Sequence, residues 1–69
     1  MVFVFKTSVK SKTEIRSLGS HLNSLLLEAH WNFDLNDCDN ILRIESHAEI
    51  TEATIALLQT KGFECVELR

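Results

Sequence analysis

Apolar and polar residues alternate along Trp31 to Glu45 on two short arms. On the first, Trp31, Phe33 and Leu35 are interleaved with Asn32, Asp34 and Asn36; on the second, Leu42 and Ile44 are interleaved with Arg43 and Glu45. Period two marks a strand with one dry face. Asp37, Cys38, Asp39 and Asn40 lie between the arms, so the stretch predicts a hairpin with an acidic turn. Bringing the dry residues together sets Leu35 opposite Leu42 and Phe33 opposite Ile44. The same register sets Asp34 opposite Arg43, an opposite-charge pair that contributes ~0.2–1 kcal/mol, and His30 opposite His47.

The flanking segments follow other patterns. Val2 to Thr7 is apolar on both faces, Phe3 and Phe5 on one and Val2 and Val4 on the other, which predicts a central strand. Ser11 followed three residues later by Glu14 fits a capping box. Ile15, Leu18, Leu22 and Leu25 then recur at helical spacing and predict one buried stripe. Gly19 interrupts that helix at a cost of about 1 kcal/mol relative to alanine, which suits close approach to the sheet. A second helix is expected over about Glu52–Lys61, with Thr51 as its cap and Ile50 and Ile55 at the spacing of a hydrophobic staple. Gly62 supplies the left-handed stop, and Phe63 folds back toward Leu58. Glu64 to Arg69 is a final strand with Cys65 on one face and Val66 and Leu68 on the other. The order βαββαβ predicts an α+β, ferredoxin-like sandwich: an antiparallel four-stranded sheet of order 4-1-3-2 with two helices on one face. That order puts the two-sided first strand inside the sheet and the polar-backed Trp31–Leu35 strand at an edge.

Composition narrows the class. A chain of 69 residues has room for one domain, residues 1–69, and buries only about 60% of the surface its unfolded form exposes. The net charge is −3 and unevenly spread: residues 1–27 carry Lys6, Lys10, Lys12 and Arg16 against Glu14, whereas residues 28–69 are dominated by acids. A nucleic-acid binder needs a broad basic face, so no nucleic-acid partner is expected. No apolar run approaches the ~20 residues of a membrane span, and Met1 to Phe5 lacks the features of a secretory signal. The expectation is a cytoplasmic domain with no membrane partner. Two cysteines in unlike settings do not make a disulfide framework.

At Ser8 to Ile15, SVKSKTEI, the residues fall in the register of a CxxCxxxI loop after a first strand, and LLQTKGFECVE is similar to a helix end, glycine, aromatic and last strand. In this pattern the chain resembles the heavy-metal-associated domains of copper chaperones and metal-transporting ATPases over nearly its whole length. The segment from Leu25 to His30 is a few residues longer than in that family. The resemblance implies the fold. It does not imply the ion, because the family holds soft metals on two thiolates and this chain has Ser8 and Ser11 there. Serine hydroxyls stay protonated near neutral pH and are hard, weak ligands. A degenerate metal loop and no cofactor are therefore expected.

Other residues offer replacement chemistry. Ser8, Lys10, Ser11 and Lys12 at a helix start are a candidate anion site, although no glycine-rich cradle accompanies them and a capped helix with solvated lysines accounts for the same residues. His30 and His47, set across the hairpin, are candidate metal ligands, two where a structural zinc takes four. Asp34, Asp37 and Asp39 lack the spacing of a calcium loop, and Cys38 among acids is a poor nucleophile. No arginine occupies the first loop, where ferredoxin-like acylphosphatases hold phosphate, so an enzyme is not expected. The larger signal is the uncovered face of the sheet. Val2, Val4, Ile41, Val66 and Leu68 form an aliphatic block there beside Asn32, Asp34, Arg43 and Glu45, the layout of an interface with dry core and polar rim. These residues predict a non-enzymatic binding domain that forms a homodimer or docks a protein partner. The alternatives are heavy-metal carriage, or a small-anion or amino-acid-binding regulatory domain.

Overall fold

The computed structural model describes residues 1–35 and 40–68. Along the chain run β1 (Val2–Thr7), α1 (Lys12–Leu25), β2 (His30–Asp34), β3 (Ile41–Glu45), α2 (Thr51–Thr60) and β4 (Cys65–Leu68). The strands form one sheet of order β2-β3-β1-β4 in which every neighbouring pair is antiparallel. Element order and strand order are those expected. β1 is interior, paired on both sides with strands distant in sequence, β3 and β4.

One face of the sheet carries the core. Phe3, Phe5, Leu42, Ile44 and Cys65 alternate with more exposed neighbours and join Leu18, Leu22 and Leu26 from the α1 region and Leu58 from α2 in one buried cluster. Trp31 and Phe33 pack at its margin, edge to face with ring centroids 6.0 Å apart. The Trp31 indole lies over Gly19, where a Cβ would stand 3.4 Å from Cη2. Its Nε1 donates to Asn23 Oδ1 at 3.0 Å. The helix thus packs on the Trp31 ring of β2 at Gly19, at a separation where a Cβ would make ordinary contact, so close approach does not by itself require the glycine.

The hairpin register differs from the expectation. Phe33 stands opposite Leu42, Trp31 opposite Ile44, Asn32 opposite Arg43 and Asp34 opposite Ile41. Asp34 and Arg43 therefore do not pair across the strands, and His30 faces Glu45 rather than His47. A slip of two residues keeps every side chain on its own face, so alternation cannot distinguish the registers. The connection decides instead. Leu35 leaves the ladder and Asn40 adopts φ 49, a left-handed conformation that asparagine tolerates. The Thr7 hydroxyl donates to the Asn40 carbonyl at 2.7 Å and fixes that end of the connection to β1. The turn residues Asp37, Cys38 and Asp39 lie outside the described residues.

The helices match in place and differ at their ends. Ser11 caps α1 as a complete capping box, its hydroxyl accepting from the Glu14 N–H at 3.1 Å. The buried stripe continues to Leu26, which is 4% exposed, and not to Leu25, which is 42% exposed. α2 begins at Thr51 itself, so Thr51 is not the cap and Ile50 and Ile55 do not form the expected staple. The Glu49 carboxylate takes the Thr51 N–H at 2.7 Å in place of a capping hydroxyl. α2 stops as expected: Gly62 has φ 89, its N–H bonds to the Gln59 carbonyl, and the Phe63 N–H reaches back to Leu58 at 2.9 Å. These two bonds make a Schellman motif.

Candidate interaction face

The pairing puts the side chains of the open face on a grid. His30, Glu45 and Val2 form one row across β2, β3 and β1. Asn32, Arg43, Val4 and Leu68 form the next, and Asp34, Ile41, Lys6 and Val66 the third. Polar and charged groups occupy the β2 side and most of β3, and aliphatics the β1 and β4 side. Val2, Val66 and Leu68 are 58%, 59% and 40% exposed. Val4 is half-buried.

Ile41 departs from the expectation that it belongs to the exposed block, for it is only 7% exposed. β3 is an interior strand, so Ile41 has Asp34 on one side and Lys6 on the other in its row. Val4, on interior β1, is shielded in the same way, whereas Val66 and Leu68 lie on an edge strand and Val2 at a strand end. The exposed aliphatic surface is thus smaller than the sequence suggests, and Lys6 sits within it. A shallow cavity of about 250 Å³ lies over the first two rows, lined by Val2, His30, Trp31, Asn32, Arg43 and Glu45.

The first loop is tied into the fold. The Ser8 N–H donates to the Glu64 carbonyl at 3.1 Å, and the Ser8 hydroxyl accepts from the Glu64 N–H at 2.8 Å. The Ser11 hydroxyl accepts from Glu14, whose carboxylate accepts from the Lys10 and Ser11 N–H groups at 2.8 and 3.1 Å. Two of the amides that would have bound an external anion therefore hold the chain's own carboxylate. The side chains of Lys10 and Lys12 are exposed. Val9, just before Lys10, is a core residue with no exposure at all.

His30 and His47 line one hollow of about 280 Å³ at the end of the sheet, with Glu28, Glu45, Ser46 and Met1. Among the described residues, however, no three His, Cys, Asp or Glu side chains converge on a metal position. Cys65 is 3% exposed, and burial pushes its thiol up to about 11 from an ordinary 9.0. A thiol held protonated in the core is neither a nucleophile nor a ready ligand. No helix is long and apolar enough to cross a membrane among the described residues.

A further exposed apolar group was not anticipated. Leu27 is 82% exposed and Met1 67%, both near the hollow of the histidines, with Leu25 beside them. Three consecutive leucines at the end of a helical stripe give the signal in the sequence, since a single buried stripe takes only one of them. Comparison of the chain with protein-family models, with curated proteins and with solved structures finds no match in any of the three.

Proposed function

We propose that this chain is a ferredoxin-like, non-catalytic binding domain that works through the open face of its sheet, with a second copy of itself as the occupant. The observation that carries the reading is the exposure of Val2, Val66 and Leu68 on the adjacent strands β1 and β4, beside the polar half of the same face. A small domain gains from covering such surface at about 25 cal/mol per Å², before the cost of association. The resemblance to heavy-metal-associated domains agrees with the element order and supports the fold part of this reading. Its metal chemistry does not transfer, since Ser8 and Ser11 stand at the thiolate positions and both hydroxyls accept hydrogen bonds that hold the loop.

The face is small. Among the described residues its exposed aliphatics are Val2, Val66 and Leu68, with Val4 half-buried and Ile41 buried, which is little dry surface for an interface whose standard size is ~800 Å² per partner. The dimer is accordingly expected to be weak and concentration-dependent. Sedimentation or light scattering across a concentration series tests it: the protein passes from monomer to dimer, Val4→Glu gives a folded monomer, and Ser17→Glu on the exposed side of α1 changes nothing. A chain that stays monomeric at millimolar concentration overturns the proposal.

A further inference from the structure

Resting on that reading, we infer that the second copy covers more than the sheet. Its footprint continues past Val2, round the end of the molecule where β1 begins and β3 stops, onto Met1 and the exposed leucines of the α1–β2 connection. Of the six large apolar side chains exposed among the described residues, Val2, Val66 and Leu68 lie on the open face and Met1, Leu25 and Leu27 at this end. A partner seated on the sheet alone would leave half of them in water. A contiguous apolar surface of this kind marks an interaction site, where scattered single residues do not.

The end is continuous with the face. Val2, His30 and Glu45 line both the shallow cavity over the sheet and the hollow of about 280 Å³ that takes in Met1. Glu28, Ser46 and His47 line that hollow and a third one, of about 140 Å³, that takes in Leu25 and Leu27. The three make one trough, from Asn32 on the open face to Leu27. Its outer wall is fixed by hydrogen bonds. The Leu26 carbonyl accepts from the Ala29 N–H at 3.2 Å and closes a turn with Leu27 and Glu28 at its tip, anchored by the buried Leu26. Turn tips favour glycine and small polar residues, and a leucine held at this one stays outside the core. Across the trough the Ser46 N–H donates to the Met1 carbonyl at 2.9 Å, and the Ser46 hydroxyl accepts from the Ala48 N–H at 3.1 Å. A surface already ordered loses little freedom when a partner covers it. Charges of both signs line the trough, Arg43 with Glu28 and Glu45. That mixture suits a self-complementary contact between identical chains better than a strongly basic or acidic partner.

Methyl NMR with a soluble paramagnetic agent reads the two parts of the footprint separately. As rising concentration carries the chain from monomer to dimer, the methyls of Val2, Leu25 and Leu27 should become shielded in parallel, and that of Ala53, exposed on α2, should not. Leu27→Ser should dimerise about tenfold more weakly than the unmodified chain, because a two-fold axis removes the contact twice. Its urea midpoint at low protein concentration should be unchanged, since Leu27 is outside the core of the monomer. If Val2 is shielded and Leu27 is not, or if Leu27→Ser leaves the dimer as strong where Val4→Glu abolishes it, the footprint stops at the sheet: the inference fails and the open-face reading stands. If Leu27 is shielded while Val2 and Val66 are not, the copies meet at the end alone, which overturns the open-face reading and the continuous footprint together. A chain that stays monomeric at millimolar concentration overturns both as well.

Discussion

At the scale of the residue, the Thr54 hydroxyl stands out as unsatisfied among the described residues. Thr54 is fully buried on α2 and its oxygen has no hydrogen-bond partner among the described residues. An unpaired buried hydroxyl carries its desolvation cost with no return, so Thr54→Val, which keeps the shape, should stabilise the fold by about 1 kcal/mol. Urea unfolding would show a higher midpoint at unchanged slope. Gly19 argues in the same direction by a different route. A Cβ there would meet the Trp31 ring at 3.4 and 3.6 Å, ordinary contact at its near limit, and alanine gains about 1 kcal/mol of helix propensity over glycine. Gly19→Ala should therefore be neutral or stabilising; a lowered midpoint would mean the indole cannot yield. Cys65 sets a limit at high pH. Its folded value is raised, so the unfolded chain loses the thiol proton first, and stability present below pH 9 is expected to fall as the pH rises toward about 11. A Cys65→Ala chain should lack that decline.

At the scale of the element, the hairpin shows where pattern reading stops. Faces were legible, because alternation over Trp31–Glu45 fixes which side chains are dry. Register was not, because a two-residue slip conserves that alternation and the deciding contacts, Asn40 in the left-handed region and Thr7 donating to its carbonyl, involve a distant strand. The helix ends follow the same logic. Ser11 and Glu14 make a local capping box and were readable as such, whereas the choice of Leu26 over Leu25 and of Glu49 over Thr51 as capping group depends on what each end packs against. The register can be tested by sign. Asn32 stands opposite Arg43, so Asn32→Asp should stabilise by ~0.2–1 kcal/mol and lose that gain when Arg43→Gln is added. In the register that alternation alone suggests, the new carboxylate would face Glu45 and destabilise instead. Urea melts at low protein concentration, with the four chains compared, separate the two.

At the scale of the whole molecule, the candidate face was legible in kind and overstated in extent. Sequence pattern put Val2, Val4, Ile41, Val66 and Leu68 on one side of the sheet correctly, but exposure depends on position across the sheet, and interior strands shield what edge strands do not. Those edges raise a competing route to assembly, since β2 and β4 both leave one side of the ladder unpaired. Hydrogen exchange read against protein concentration separates the routes. Stacking face to face buries side chains and leaves the outward amides of β4 in water, so their exchange should not change as the concentration rises. Amides of β1 and β3 that exchange only through global unfolding should slow, because association draws the equilibrium toward the folded state. Edge-to-edge pairing would reverse this, protecting the outward β4 amides first, and finding that pattern would replace the stacked dimer with a continuous sheet across two chains.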